Sequence, residues 1–76
     1  MNTQRRLARD YLNDASLTDF WQVVREAKIS DADQEILDLH FIRGKTYTQI
    51  SQHLHISPET VKATVTKAYE KISRLL

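Results

Sequence analysis

Apolar residues recur along this chain at helical spacing, and short polar caps divide them into five runs. The first run, about Thr3 to Asn13, sets Leu7 and Tyr11 four apart on one face. The cluster Asn13-Asp14-Ala15-Ser16 reads as a turn. Ser16 caps the second run, with Asp19 three residues on in a capping-box-like pair. Leu17, Phe20, Trp21 and Val24 follow at i, i+3, i+4 and i+7, a core stripe in which Trp21 is read as core and not as a binding aromatic. Ser30 caps the third run, and Asp33 stands three residues later. Asp31, Asp33 and Glu35 lie in its first turns, where the positive end of the helix dipole favours acids. Capping therefore accounts for the acidic cluster without a metal. Ala32, Ile36 and Leu39 form one stripe of this helix and Leu37, Phe41 and Ile42 lie on other sides, which predicts a central helix. Gly44 ends it in the position where a left-handed residue costs glycine little.

The last two runs carry the strongest local signals. Thr46 and Gln49 form a capping box for a short fourth helix that runs to about Leu54. Ser57 is the N-cap and Pro58 the first residue of a fifth, whose predicted buried stripe is Val61, Val65, Ala68, Ile72 and Leu75. Only His55, Ile56 and Ser57 join the two, the length of the turn in a helix-turn-helix. Ile50, Leu54, Ile56 and Val61 are placed to close a small core between them, and Ser51 is small where the helices approach. Glycine is usual in this turn. Histidine tolerates the left-handed region better than most residues, so His55 fits at modest cost.

Composition narrows the fold to one class. The chain has 76 residues, 41% hydrophobic and 28% charged, with one glycine, one proline and no cysteine. So few turn residues argue against a barrel or sandwich, and no cysteine means no disulfide or thiolate metal site. The expected fold is all-α, a compact bundle of about five helices forming one domain. No apolar run approaches the ~20 residues of a membrane span. Arg5, Arg6 and Arg9 are not followed by an apolar signal core, so a cytoplasmic protein is expected. Net charge is +1 overall, but it is uneven. Residues 31–44 are acidic, and residues 45–76 carry five lysines and arginines against Glu59 and Glu70. That balance permits nucleic-acid binding without demanding it.

Taking Val61 as the buried reference, Glu59, Ala63, Thr66 and Glu70 point outward on the fifth helix, flanked by Lys62 and Lys67. In a helix-turn-helix this face enters the major groove. Thr60, Ala63 and Thr66 suit phosphate or a thymine methyl, Glu59 suits the cytosine amine, and Lys62 reaches guanine or phosphate. The free N–H groups after Ser57 and Pro58 are a further phosphate contact.

The stretch from Gly44 to Ser51, then Leu54-His55-Ile56-Ser57-Pro58-Glu59-Thr60-Val61-Lys62, resembles the helix-turn-helix shared by region four of bacterial sigma factors and LuxR-type regulators. Ala68 followed by Lys71-Ile72 is closer to the sigma ending, and Ser30 to Phe41 is similar to the preceding helix of both groups. The resemblance covers about residues 29–76, leaving 1–28 as an N-terminal helical extension. It implies that Lys45, Thr46 and Tyr47 lie near the DNA backbone and that Lys62, Ala63 and Thr66 face the groove. Gln49 and Ser51 stand in place of the usual Glu and Ala, and Thr64 in place of a frequent Arg or His. Sigma region four also docks on the flap of the RNA polymerase β subunit, whereas LuxR-type domains bind DNA as dimers.

The expected function is that of a sequence-specific DNA-binding transcription regulator, of bacterial, phage or mobile-element type, with a recognition helix over about 58–75. A complete sigma factor is not expected at this length. The alternative is a protein-interaction module contacting RNA polymerase or a sigma factor. A homodimer on double-stranded DNA is expected, joined through Tyr69, Ile72, Leu75 and Leu76 or through Leu7, Tyr11 and Trp21. Neither catalysis nor a cofactor or metal is expected. His40, His53 and His55 are the only histidines, and no carboxylate pair is placed with them.

Overall fold

A computed structural model describes residues 3–76. Five α-helices follow in order: α1 Thr3–Asp14, α2 Leu17–Glu26, α3 Asp31–Leu37, α4 Tyr47–Leu54 and α5 Pro58–Ser73. No strand occurs among the described residues, so the fold is an all-α bundle carrying a helix-turn-helix. Its radius of gyration is 11.6 Å, against about 11.4 Å for a compact chain of this length.

The predicted caps form. The hydroxyls of Ser16, Ser30, Thr46 and Ser57 accept from the backbone N–H of Asp19, Asp33, Gln49 and Thr60 at 3.1–3.3 Å. The join between α2 and α3 closes with Lys28 in the left-handed region, φ 56. Its N–H reaches the Arg25 carbonyl at 3.0 Å and that of Ile29 reaches Val24 at 3.5 Å. This pairing is the Schellman pattern, and it sets Ile29 into the core.

The chain beyond α3 departs from the expected regular helix. Asp38–Ile42 is a π-turn, with Arg43 N–H bonded to Asp38 O at 3.1 Å. Gly44 then takes φ +71, and Lys45 N–H bonds Leu39 O at 2.9 Å, closing the end one residue wider than a Schellman cap. Within this wider turn Phe41 packs against Phe20, with ring centroids 5.9 Å apart, and against Tyr69 at 6.1 Å.

One cluster forms the core, drawing Ala8 and Leu12 from α1, Phe20, Val23 and Val24 from α2, Ile36 and Leu37 from α3, Ile50 from α4, and Val61, Val65, Ala68, Tyr69 and Ile72 from α5. Several predicted core positions are corrected. Leu7 is 55% and Leu17 59% exposed, and Ala32 and Ile42 also face outward. On α1 the buried pair is Ala8 and Leu12, with Tyr11 half-buried, because α1 lies on α5 by its alanine side. On α2 Val23 takes the place expected of Leu17. Trp21 is half-buried and meets Phe20 edge to face at 4.9 Å, as a core-covering residue. Leu75, expected at the end of the buried stripe, is 47% exposed because α5 stops at Ser73.

Candidate nucleic-acid interface

The helix-turn-helix is held by its own backbone. His55 is left-handed, φ 59 and ψ 42. Its N–H bonds Ser51 O, and that of Ile56 bonds the same carbonyl at 3.1 Å. These bonds end α4 and turn the chain within three residues. Ser51 is 5% exposed, and its hydroxyl donates to Thr48 O at 2.7 Å, so the buried polar group is satisfied. At the start of α4 the capping box is complete: Thr46 N–H donates to Gln49 Oε1 at 2.9 Å and Thr46 Oγ1 accepts from Gln49 N–H. Ile50 and Val61 are fully buried between the two helices, with Leu54 and Ile56 packed beside them.

Each candidate contact residue has a definite place. Lys45, Thr46, Ser57, Glu59, Thr60, Lys62, Ala63 and Lys67 are exposed, while Tyr47 and Thr66 are half-buried. Three hydroxyls are already engaged. Thr46 and Ser57 serve as caps, and the Thr60 hydroxyl shares a hydrogen bond of 2.8 Å with Ser57. Tyr47, Lys62 and Thr66 come together along one side of α5. Lys67 lies about 140° round the helix from Lys62, on the opposite flank of the outward face. Lys45 lines a different cleft of about 470 Å³, with Glu35, Asp38, Arg43, Gln49 and His53 among its neighbours. Lys45 therefore lies apart from Lys62.

The Tyr47–Lys62–Thr66 side contains residues the sequence reading did not select. Arg5, Arg6 and Arg9 of α1 complete a cleft of about 380 Å³ with these three and Tyr69. Arg5 is fixed by an ion pair to Glu70 at 2.6 Å. Tyr69 is almost wholly buried beside Tyr47. Burial, then the neighbouring Tyr47, pushes its phenol above the usual range, while Arg9 pulls slightly the other way. The available signal was the spacing of Arg5, Arg6 and Arg9, which shares one arc of a helix. Nothing in the sequence told which helix that arc would lie against.

The seams expected for a homodimer are partly consumed. Tyr69 and Ile72 belong to the monomer core, and Tyr11 and Trp21 cover it. Leu7, Leu75 and Leu76 stay exposed. No helix among the described residues is long and apolar enough to cross a membrane.

A family model described as Sigma-70, region 4 matches residues 27–74. Of the two groups the sequence resembles, the match names the sigma side, and it starts two residues before the boundary read from the motif. The family is one of regulatory helix-turn-helix DNA-binding domains and not of enzymes. Searches among curated proteins and among solved structures gave no match.

Proposed function

We propose that this chain, which belongs to the sigma-70 region 4 family, is a sequence-specific DNA-binding transcription regulator that inserts the outward face of α5 into the major groove. The observation that carries this reading is the outward face itself. A rigidly capped helix presents Lys62 and Ala63 to solvent next to a three-residue turn, on a core that holds its orientation. Lys62 and Ala63 are the proposed base-edge contacts, with Glu59 and Thr66 beside them. Lys45, Lys67 and the N–H groups at the start of α5 are proposed phosphate contacts. Thr46, Ser57 and Thr60 act mainly by fixing the helix starts, with any contact to DNA through the remaining lone pairs of their hydroxyls. Tyr47 borders the backbone from the first turn of α4.

We further propose a homodimer on double-stranded DNA. One copy offers few groove contacts, and a second copy doubles them over half-sites about one helical turn apart. Leu75, Leu76 and Leu7 supply the exposed apolar surface for it. Such a regulator works where the DNA is, in the cytoplasm of a bacterial cell.

Fluorescence anisotropy against mixed duplexes at two salt concentrations tests the reading. Lys45 and Lys67 alone give a slope of log K against log salt of about −1.8. Binding that weakens with salt at least that steeply supports it. A folded chain that ignores every duplex would be acting through protein contacts instead, with RNA polymerase or a sigma factor as the partner class.

A further inference from the structure

The two seams that the sequence offered as alternatives for a homodimer meet in one place. Tyr11 of α1 and the tail residues Leu75 and Leu76 line a cleft of about 370 Å³, together with Asp19, Gln22, Val23 and Glu26 of α2. The tail is a turn and not a further stretch of helix. α5 stops at Ser73, and the N–H groups of Leu75 and Leu76 bond the carbonyls of Ile72 and Ser73 at 2.9 and 3.3 Å. Both leucines stay about half exposed there.

Charges of both signs border this apolar surface. Asp19 and Glu26 are exposed on one side of α2, and neither forms an ion pair among the described residues. Arg74 is exposed next to Leu75, and it forms none either. A surface with two leucines, one cation and two acids is complementary to itself. In a two-fold contact Arg74 of one copy faces the acids of the other, and the leucines meet across the axis. Without that cation, two-fold packing would set acid against acid, which disfavours association. The position of the tail also suits a pair. Lys62 lies about 17 Å along α5 from Ser73. Two copies joined at their tails hold their outward faces apart by up to about twice that length plus the seam. This range includes the roughly 34–36 Å of one duplex turn.

We propose that this cleft takes the tail of a second copy of the chain. Leu75 and Leu76 of each copy pack against Tyr11 and the leucines of the other. Arg74 of each copy pairs with Glu26 of the other, and Asp19 adds to the attraction. This rests on the homodimer reading and deepens it, adding the seam and the charges that set its register. The α1–α2 segment outside the matched region then supplies half of the seam.

Sedimentation tests it on the intact chain, on Arg74→Glu, on Glu26→Lys and on an equimolar mixture of these two variants. Helical content and thermal unfolding check each one, and both positions are exposed, so the fold tolerates either change. The intact chain should move from 8.9 kDa toward twice that mass as its concentration rises. Each single variant sets like charges together at both symmetry-related contacts, and should associate roughly tenfold or more weakly. In the mixture, both contacts of a heterodimer join opposite charges again, so association should return toward that of the intact chain. Single variants that associate as the intact chain does overturn this seam and leave the homodimer standing. Single variants that are monomeric and stay monomeric when mixed overturn the charge pairing. An intact chain that is monomeric both free and on duplex overturns the homodimer and this inference together, while its binding to that duplex still upholds the DNA-binding function.

Discussion

His55 holds a left-handed backbone, φ 59, in a conformation that costs a residue with a Cβ roughly 1–2 kcal/mol. Its side chain is exposed, so little packing offsets that cost. His55→Gly should therefore stabilise the chain by about 1 kcal/mol, raising Tm by about 4–8 °C in thermal unfolding. A lower Tm would mean that the imidazole makes a contact worth more than the strain. Gly44, also left-handed at φ +71, has no such cost to recover. Lys62 shows the opposite division of labour. It is exposed beside the fully buried Val61, so Lys62→Ala should leave Tm unchanged while weakening specific DNA binding by roughly 1–3 kcal/mol. Val61→Ala should lower stability by roughly 1–3 kcal/mol through the cavity it leaves. Anisotropy and thermal unfolding on both variants separate the two effects. An unchanged affinity for folded Lys62→Ala would place the groove-facing side of α5 elsewhere.

The helices of this chain were legible where they begin and less so in which side they bury. Ser16, Ser30, Thr46 and Ser57 each bond the predicted N–H because a cap is a local event, decided by residues three apart. Ser57→Ala should accordingly cost about 1 kcal/mol in stability, since the Ser57 hydroxyl holds both the N–H and the hydroxyl of Thr60. A loss confined to DNA affinity, with Tm unmoved, would contradict the cap role. The buried sides followed longer-range packing. On α1, Leu7/Tyr11 and Ala8/Leu12 have the same spacing, and an alanine gives no hydrophobic signal to choose between them. The π-turn after α3 was not readable at all. It carries Phe41 against Phe20 and Tyr69, so that the rings of three separate parts of the chain meet there. Tyr69 gives this junction a pH signature. Burial raises its pKa above the unfolded value of about 10. The neutral phenol therefore favours the fold at all lower pH, and that contribution is lost as pH rises past the unfolded value toward the raised folded one. Denaturant unfolding between pH 8 and about 11 should show stability falling above pH ~10, with a shallower fall in Tyr69→Phe. Equal falls in both would assign the effect to other groups.

For the whole molecule, the all-α architecture followed from one glycine, one proline and five helical runs, four of them capped. The helix-turn-helix followed because cap, proline and turn length are local. The composition of its flank did not, since Arg5, Arg6 and Arg9 reach Lys62 only through the docking of α1 on α5. The oligomeric expectation was drawn partly from side chains that the monomer uses, Tyr69 and Ile72 among them. Light scattering on the intact chain and on one ending before Leu75 tests what is left. The intact chain should double its 8.9 kDa mass on DNA, and the shortened one should not. A monomer in both states would remove the dimer and turn attention to a polymerase-type partner. The central claim is that α5 reads base edges, and selection from a random duplex pool tests it most directly. The account predicts that the intact chain enriches a defined motif, binds it over scrambled duplex by a factor on the order of 10³, and loses that preference in Lys62→Ala. A folded chain whose bound pool stays as random as the input would contradict it.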